Sequence, residues 1–136
     1  MNQSRLEFIC WSCLLLIILA KAEAASVWKL PTAEQVYEDL ENCRLESHEE
    51  DAATLRCLVT KLGLWTDESG YNAKRIAKIF AAHDQMEELM LVVEYCNQKE
   101  QNKSQLDDWA FSAYRCATSG QLGHWVKDFM SQKDVD

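Results

Sequence analysis

Proline and glycine are scarce in this chain, at one and four in 136 residues. An all-β fold needs many reversals of direction and draws on both, so that class is excluded. Basic residues are also in deficit: 14 Lys and Arg stand against 22 Asp and Glu, a net charge of −8. Nucleic-acid binding takes its affinity from clustered Lys and Arg set against phosphate, so no nucleic-acid partner is expected. Signatures of catalysis are missing too. There is no G-x-S-x-G elbow, H-E-x-x-H pair, P-loop or dinucleotide fingerprint. The three histidines, His48, His83 and His124, are far apart in sequence. The neighbouring acids Glu87-Glu88 and Asp107-Asp108 would point about 100° apart on a helix, which suits solvated faces rather than an acid/base couple. The sequence therefore predicts no enzyme and no cofactor.

The one long apolar run is Phe8 to Ala20, preceded by Met1 and Arg5. About 20 apolar residues are needed to span a bilayer, and this run is shorter. Ala22-Glu23-Ala24 follows as an A-x-A pattern, so residues 1–24 read as a secretory leader cleaved after Ala24, with Ala22 and Ala25 as near alternatives. The expected mature protein, 25–136, keeps the −8 charge, because the leader carries two charges of each sign. No later run is long enough for stable membrane insertion, and the expected location is extracellular. The leader takes Cys10 and Cys13 with it. Cys43, Cys57, Cys96 and Cys116 remain, an even number in an oxidising compartment, and two disulfides are expected. None of these four shows C-x2-C spacing, so no metal site is expected.

Apolar spacing in the mature part is helical almost throughout. Thr32 with Gln35 makes a capping box, and Val36, Leu40 and Cys43 then share one face. Glu46 to Asp51 is acidic and reads as a connection or as the first turn of a second helix, whose stripe is Leu55, Leu58, Val59 and Leu62. Gly63 and Thr66 to Gly70 end it. Asn72 caps a third helix with Ala73, Ile76, Ala77 and Phe80 inward. Asp84 with Glu87 signals a fourth start, followed by Leu89, Val92, Val93 and Cys96. Asn97 to Lys103 is polar and reads as a loop. Ser104 is placed to cap a fifth helix carrying Leu106, Trp109, Ala110, Ala113 and Cys116, and a last short helix carries Trp125, Val126 and Phe129. The expected fold is all-α: five to six short helices in one domain. Asn102-Lys103-Ser104 is a candidate N-glycosylation sequon.

The cysteine spacings are C-x13-C, C-x38-C and C-x19-C. Around them stand Leu55-Arg56-Cys57-Leu58-Val59 with Leu62-Gly63-Leu64-Trp65, and Trp109-Ala110-Phe111 with Tyr114-Arg115-Cys116. This order resembles the insect odorant-binding protein family of pheromone-binding and general odorant-binding proteins. The family's second and fifth cysteines would fall at Ala53 and Asp107, so the likeness is to its four-cysteine branch. Spacing alone allows three connectivities; the resemblance implies Cys43–Cys57 and Cys96–Cys116. It also implies helices that enclose an apolar cavity. The short gap between Cys43 and Cys57 and the segment from Tyr114 to Met130 are similar to salivary odorant-binding-like proteins of blood-feeding flies. Asp128 matches the first acid of their amine-binding pair, and Ser131 occupies the second slot. Thr54 and Glu46 stand where that branch has a histidine and an arginine.

The resemblance implies a secreted carrier of small hydrophobic or amphiphilic ligands. The alternatives are a salivary scavenger of biogenic amines or eicosanoids, and a helical secreted interaction or signalling protein; a receptor or homodimer partner stays open. Candidate walls are Leu62 and Trp65, Ile76 and Phe80, then Met86, Leu89, Met90 and Val93. Trp109, Ala113, Trp125 and Phe129 complete them, with Tyr114 and Asp128 as polar anchors. The three histidines are candidates for acid-triggered release.

Overall fold

The structure, a computed structural model, describes residues 27–132, without the side chain of His83. The expected leader, its cleavage site, Cys10 and Cys13 lie outside the described residues. Six α-helices follow one another: α1 Ala33–Glu46, α2 Asp51–Lys61, α3 Ala73–Phe80, α4 Met86–Lys99, α5 Leu106–Ala117 and α6 Gln121–Ser131. A 3-10 turn over His83–Gln85 leads into α4. Two-residue strands, β1 Trp65–Thr66 and β2 Gly70–Tyr71, pair antiparallel between α2 and α3.

Side-chain caps set two of the six helix starts. The Thr32 hydroxyl accepts from the Gln35 N–H at 3.1 Å, and the Asn72 side chain accepts from the Arg75 N–H at 3.0 Å, so both expected caps form. Three expectations shift. Helix α4 begins at Met86, past Asp84, and puts Glu87 and Glu88 in its first turn, where the helix dipole favours them. It then runs on to Lys99, so Asn97 lies in a helix rather than a loop. Ser104 does not cap α5. Its hydroxyl donates to Asn102 Oδ1 at 2.8 Å, the same atom that accepts from the Gln105 N–H. Asn102 itself is exposed.

Helix α5 is central. It packs on α2 and α4 and against β2, while α1 lies on α2 and α3 on α4. Its inward face is Trp109, Ala110, Ala113 and Ala117. Three alanines on that face let neighbouring helices approach closely. The disulfides are Cys43–Cys57, joining α1 to α2, and Cys96–Cys116, joining α4 to α5. This is the pairing the resemblance implies. The connection between α1 and α2 is only residues 47–50, and it reverses by placing His48 and Glu49 in the left-handed region, at φ 55° and 65°.

The segment expected only to end the second helix forms the small hairpin. Gly70 holds φ 80°, and a Cβ there would meet Asn97 Oδ1 at 2.7 Å, so glycine is required. Asn97 reaches from α4 to accept from the Tyr71 N–H at 2.9 Å and to donate to the Tyr71 carbonyl at 2.8 Å. Trp109 Nε1 donates to the Asn97 carbonyl at 3.0 Å, and the Tyr71 hydroxyl donates to the Ala110 carbonyl at 2.7 Å. Trp65 lies edge-on to both Tyr71 and Trp109, with centroids 4.9 and 4.8 Å apart. A buried aromatic cluster with its polar tips satisfied thus ties the hairpin to α4 and α5.

Arg56 on α2 adds an ionic tie. It holds Asp67 of the hairpin turn through two contacts, Nε to Oδ1 at 3.0 Å and Nη2 to Oδ2 at 2.6 Å. Its Nη1 reaches Asp107 on α5 at 3.1 Å. By the resemblance, Asp107 is where the family's fifth cysteine would fall. Ala53, the position of the second, lies one turn before Arg56. An ion bridge therefore spans the two helices that a third disulfide would join. The Arg56 hydrogen bond, then that from Trp65 Nε1, hold the Asp67 carboxyl below its ordinary range. A carboxyl depressed in this way contributes stability above its unfolded pKa and loses it as pH falls through the folded value. Asp67→Asn is expected to flatten that acid-side loss, by under about 1 kcal/mol because the pair is partly solvent-screened. Urea midpoints for wild type and variant between about pH 7 and about pH 3 check this.

Candidate functional site

The helices do not close into a solid core. They leave a cavity of about 330 Å3 to which all six contribute. Val36 and Leu40 come from α1, Leu55, Leu58 and Val59 from α2, and Leu62 caps the end of α2. Helix α3 supplies Ile76, Ile79 and Phe80, α4 supplies Val93, and α5 supplies Phe111, Ala113, Tyr114 and Ala117. Leu122, Val126, Phe129 and Met130 of α6 line one side, and Pro31, Leu64, Tyr71 and Thr118 complete the lining. The spacing on α6 is i, i+4, i+7, i+8, one stripe of a 3.6-residue helix. That stripe rests on the cavity, and Leu122 is the buried residue of α6. Phe80 and Phe129 meet edge-on across the wall, 5.4 Å between centroids.

No Asp, Glu, Lys, Arg or His is among the lining residues, and three of them carry hydroxyls. Two of those are engaged. The Tyr71 hydroxyl donates to the Ala110 carbonyl, and the Thr118 hydroxyl donates to the Tyr114 carbonyl at 2.7 Å. Burial, then proximity to Tyr114, pushes the Tyr71 phenol up; burial pushes the Tyr114 phenol up. Both are neutral hydroxyls at ordinary pH.

Of the residues expected from sequence to form the site, Leu62, Ile76, Phe80, Val93, Ala113, Tyr114 and Phe129 lie on this lining. Six others do not. Trp65 and Trp109 turn their rings into the hairpin cluster, because each indole N–H finds its acceptor there, on Asp67 Oδ1 and the Asn97 carbonyl. Leu89 and Trp125 line a separate, more polar groove between α4 and the start of α6. Met90 and Met86 are partly buried against the core and are not among the lining residues. Asp128 is exposed, on a different face of α6 from the cavity stripe. His48 and His124 are exposed and line no part of the cavity. Some of the walls that sequence reading missed were within the stripes it found: Leu40, Leu55, Leu58 and Val126 stand at the right period, whereas Leu64, Ile79, Phe111 and Met130 belonged to none of them.

Among the described residues no group of His, Cys, Asp and Glu is placed to hold a metal ion, and no helix is long and apolar enough to cross a membrane. The chain matches the profile of the PBP/GOBP family over residues 25–119, well over half its length. Comparison with curated proteins gives no match, and comparison with solved structures gives none.

Proposed function

The chain belongs to the PBP/GOBP family, and from that premise we propose that it is a secreted carrier that holds small apolar or amphiphilic molecules in the cavity and performs no chemistry on them. The observation that carries this reading is the cavity itself: about 330 Å3, walled by all six helices, with no ionisable acid, amine or imidazole in its lining. Ligand sites of this kind are mainly apolar and take most of their affinity from area removed from water. At about 20–30 Å3 per heavy atom the space suits a molecule on the order of a dozen heavy atoms. Cleavage of residues 1–24 and secretion are part of the proposal. The amine-scavenging alternative has less support, since a buried cation needs a carboxylate partner and Asp128 lies outside the lining.

The test is displacement of the apolar fluorophore N-phenyl-naphthylamine by medium-chain alcohols. Micromolar or tighter binding is expected, and no uptake of the fluorophore at all would remove the proposal. Leu58→Trp places an indole in the cavity from a half-buried position on α2. Its expected effect is an affinity loss of about tenfold or more with unchanged far-ultraviolet circular dichroism. Undiminished affinity in a folded Leu58→Trp variant would place the ligand elsewhere.

A further inference from the structure

Resting on the carrier reading, we propose that Tyr114 determines which molecules the cavity selects, by hydrogen-bonding a single neutral oxygen on an otherwise apolar ligand. The ligand class is then a medium-chain alcohol, aldehyde, ketone or ester, in preference to a plain hydrocarbon or a cation.

Apart from hydroxyls, the lining side chains are aliphatic or aromatic, save the Met130 thioether, which is a weak acceptor and no donor. The Tyr71 hydroxyl is spent on the Ala110 carbonyl and the Thr118 hydroxyl on the Tyr114 carbonyl. The Tyr114 hydroxyl makes no hydrogen bond to any described residue. Yet no fully buried side-chain nitrogen or oxygen among the described residues lacks a partner. The Tyr114 oxygen must therefore open onto free space rather than be sealed in packing. Tyr114 lines the cavity, and burial raises its phenol. A hydroxyl half removed from water with no protein partner is an unsatisfied donor and acceptor that a ligand oxygen completes. Sites that hydrogen-bond a ligand oxygen discriminate against the analogue lacking it, because the protein group is then left unpaired. Cations are disfavoured for a separate reason: no carboxylate is in the lining to offset their desolvation.

The experiment measures n-octanol, its isostere n-nonane (methyl in place of hydroxyl) and n-octylamine against wild type and Tyr114→Phe, by displacement of N-phenyl-naphthylamine. Comparing each ligand across the two proteins cancels its own cost of leaving water. The expected result is n-octanol weakened about three- to tenfold in Tyr114→Phe with n-nonane unchanged. Protonated n-octylamine is expected to bind wild type at least about tenfold more weakly than n-octanol. Unchanged n-octanol affinity overturns the anchor and leaves the carrier standing. An equal loss for both neutral ligands also overturns it, since Tyr114 would then act by packing alone. Octylamine binding as tightly as octanol overturns the neutral-oxygen class. Failure of every ligand to bind wild type overturns the carrier reading and the anchor together.

Discussion

Trp109→Ala is expected to lower the unfolding free energy by about 3–5 kcal/mol. The indole is 1% exposed and is among the largest fully buried side chains of the molecule. Three losses combine. Its apolar area returns to water, its edge-on contact with Trp65 goes, and the Asn97 carbonyl loses the N–H that satisfies it. The surroundings cannot collapse into the space, because Tyr71 is held by the Ala110 carbonyl and Asn97 by both backbone groups of Tyr71. Urea unfolding followed by far-ultraviolet circular dichroism measures the effect. A loss under about 1 kcal/mol would mean that the cluster is not what holds the hairpin to α4 and α5.

Replacing Cys96 and Cys116 together by alanine is expected to cost about 3 kcal/mol, within a range of about 2–5. The bridge closes a sequence separation of 20 and cross-links α4 to α5. For a domain of this size about 3 kcal/mol corresponds to roughly 10–20 °C in thermal midpoint. The same pair holds two cavity walls in register: Val93 is one turn before Cys96, and Ala113 and Ala117 flank Cys116 on the same helix. Probe affinity is therefore expected to fall along with stability. The Cys43–Cys57 bridge closes a separation of 14, and in the chain-entropy account its removal costs nearly as much, because the term grows only as the logarithm of loop length. Thermal melts of the two double variants compare them. A Cys96→Ala, Cys116→Ala protein that melts like wild type would show that packing of α5 alone keeps the helices together.

The fold was legible because helical period and cysteine spacing are local signals. The stripe Val36, Leu40, Cys43 and the stripe Ala73, Ile76, Ala77 each repeat at three or four residues, and each becomes the inward face of its helix. The hairpin was not legible, since two-residue strands are too short for any alternation to register. Asn97 misled for a different reason. A polar residue after an apolar stripe reads as a helix end, and only a contact 26 residues away, with Tyr71, explains its burial. The cavity was half legible. A stripe says that a side chain points inward, but whether it meets a neighbouring helix or open space depends on how helices cross. Trp65 and Leu62 show this: both are buried, yet only Leu62 lines the cavity. On α6 the better signal was Leu122, Val126, Phe129 and Met130. Trp125 and Asp128 precede Val126 and Phe129 by one residue, about 100° away around the helix.

The pairing of Asn97 with Tyr71 has a consequence outside the folded chain. A two-stranded sheet has two open edges, and an open edge is a template on which a strand from another molecule can add. At Tyr71 the outward N–H and C=O are already taken by a side-chain amide, which acts as a third strand one residue long. No rung is left at that position for an incoming chain to join. The asparagine therefore insulates the outer edge of β2 at Tyr71 against intermolecular pairing and the aggregation that follows from it.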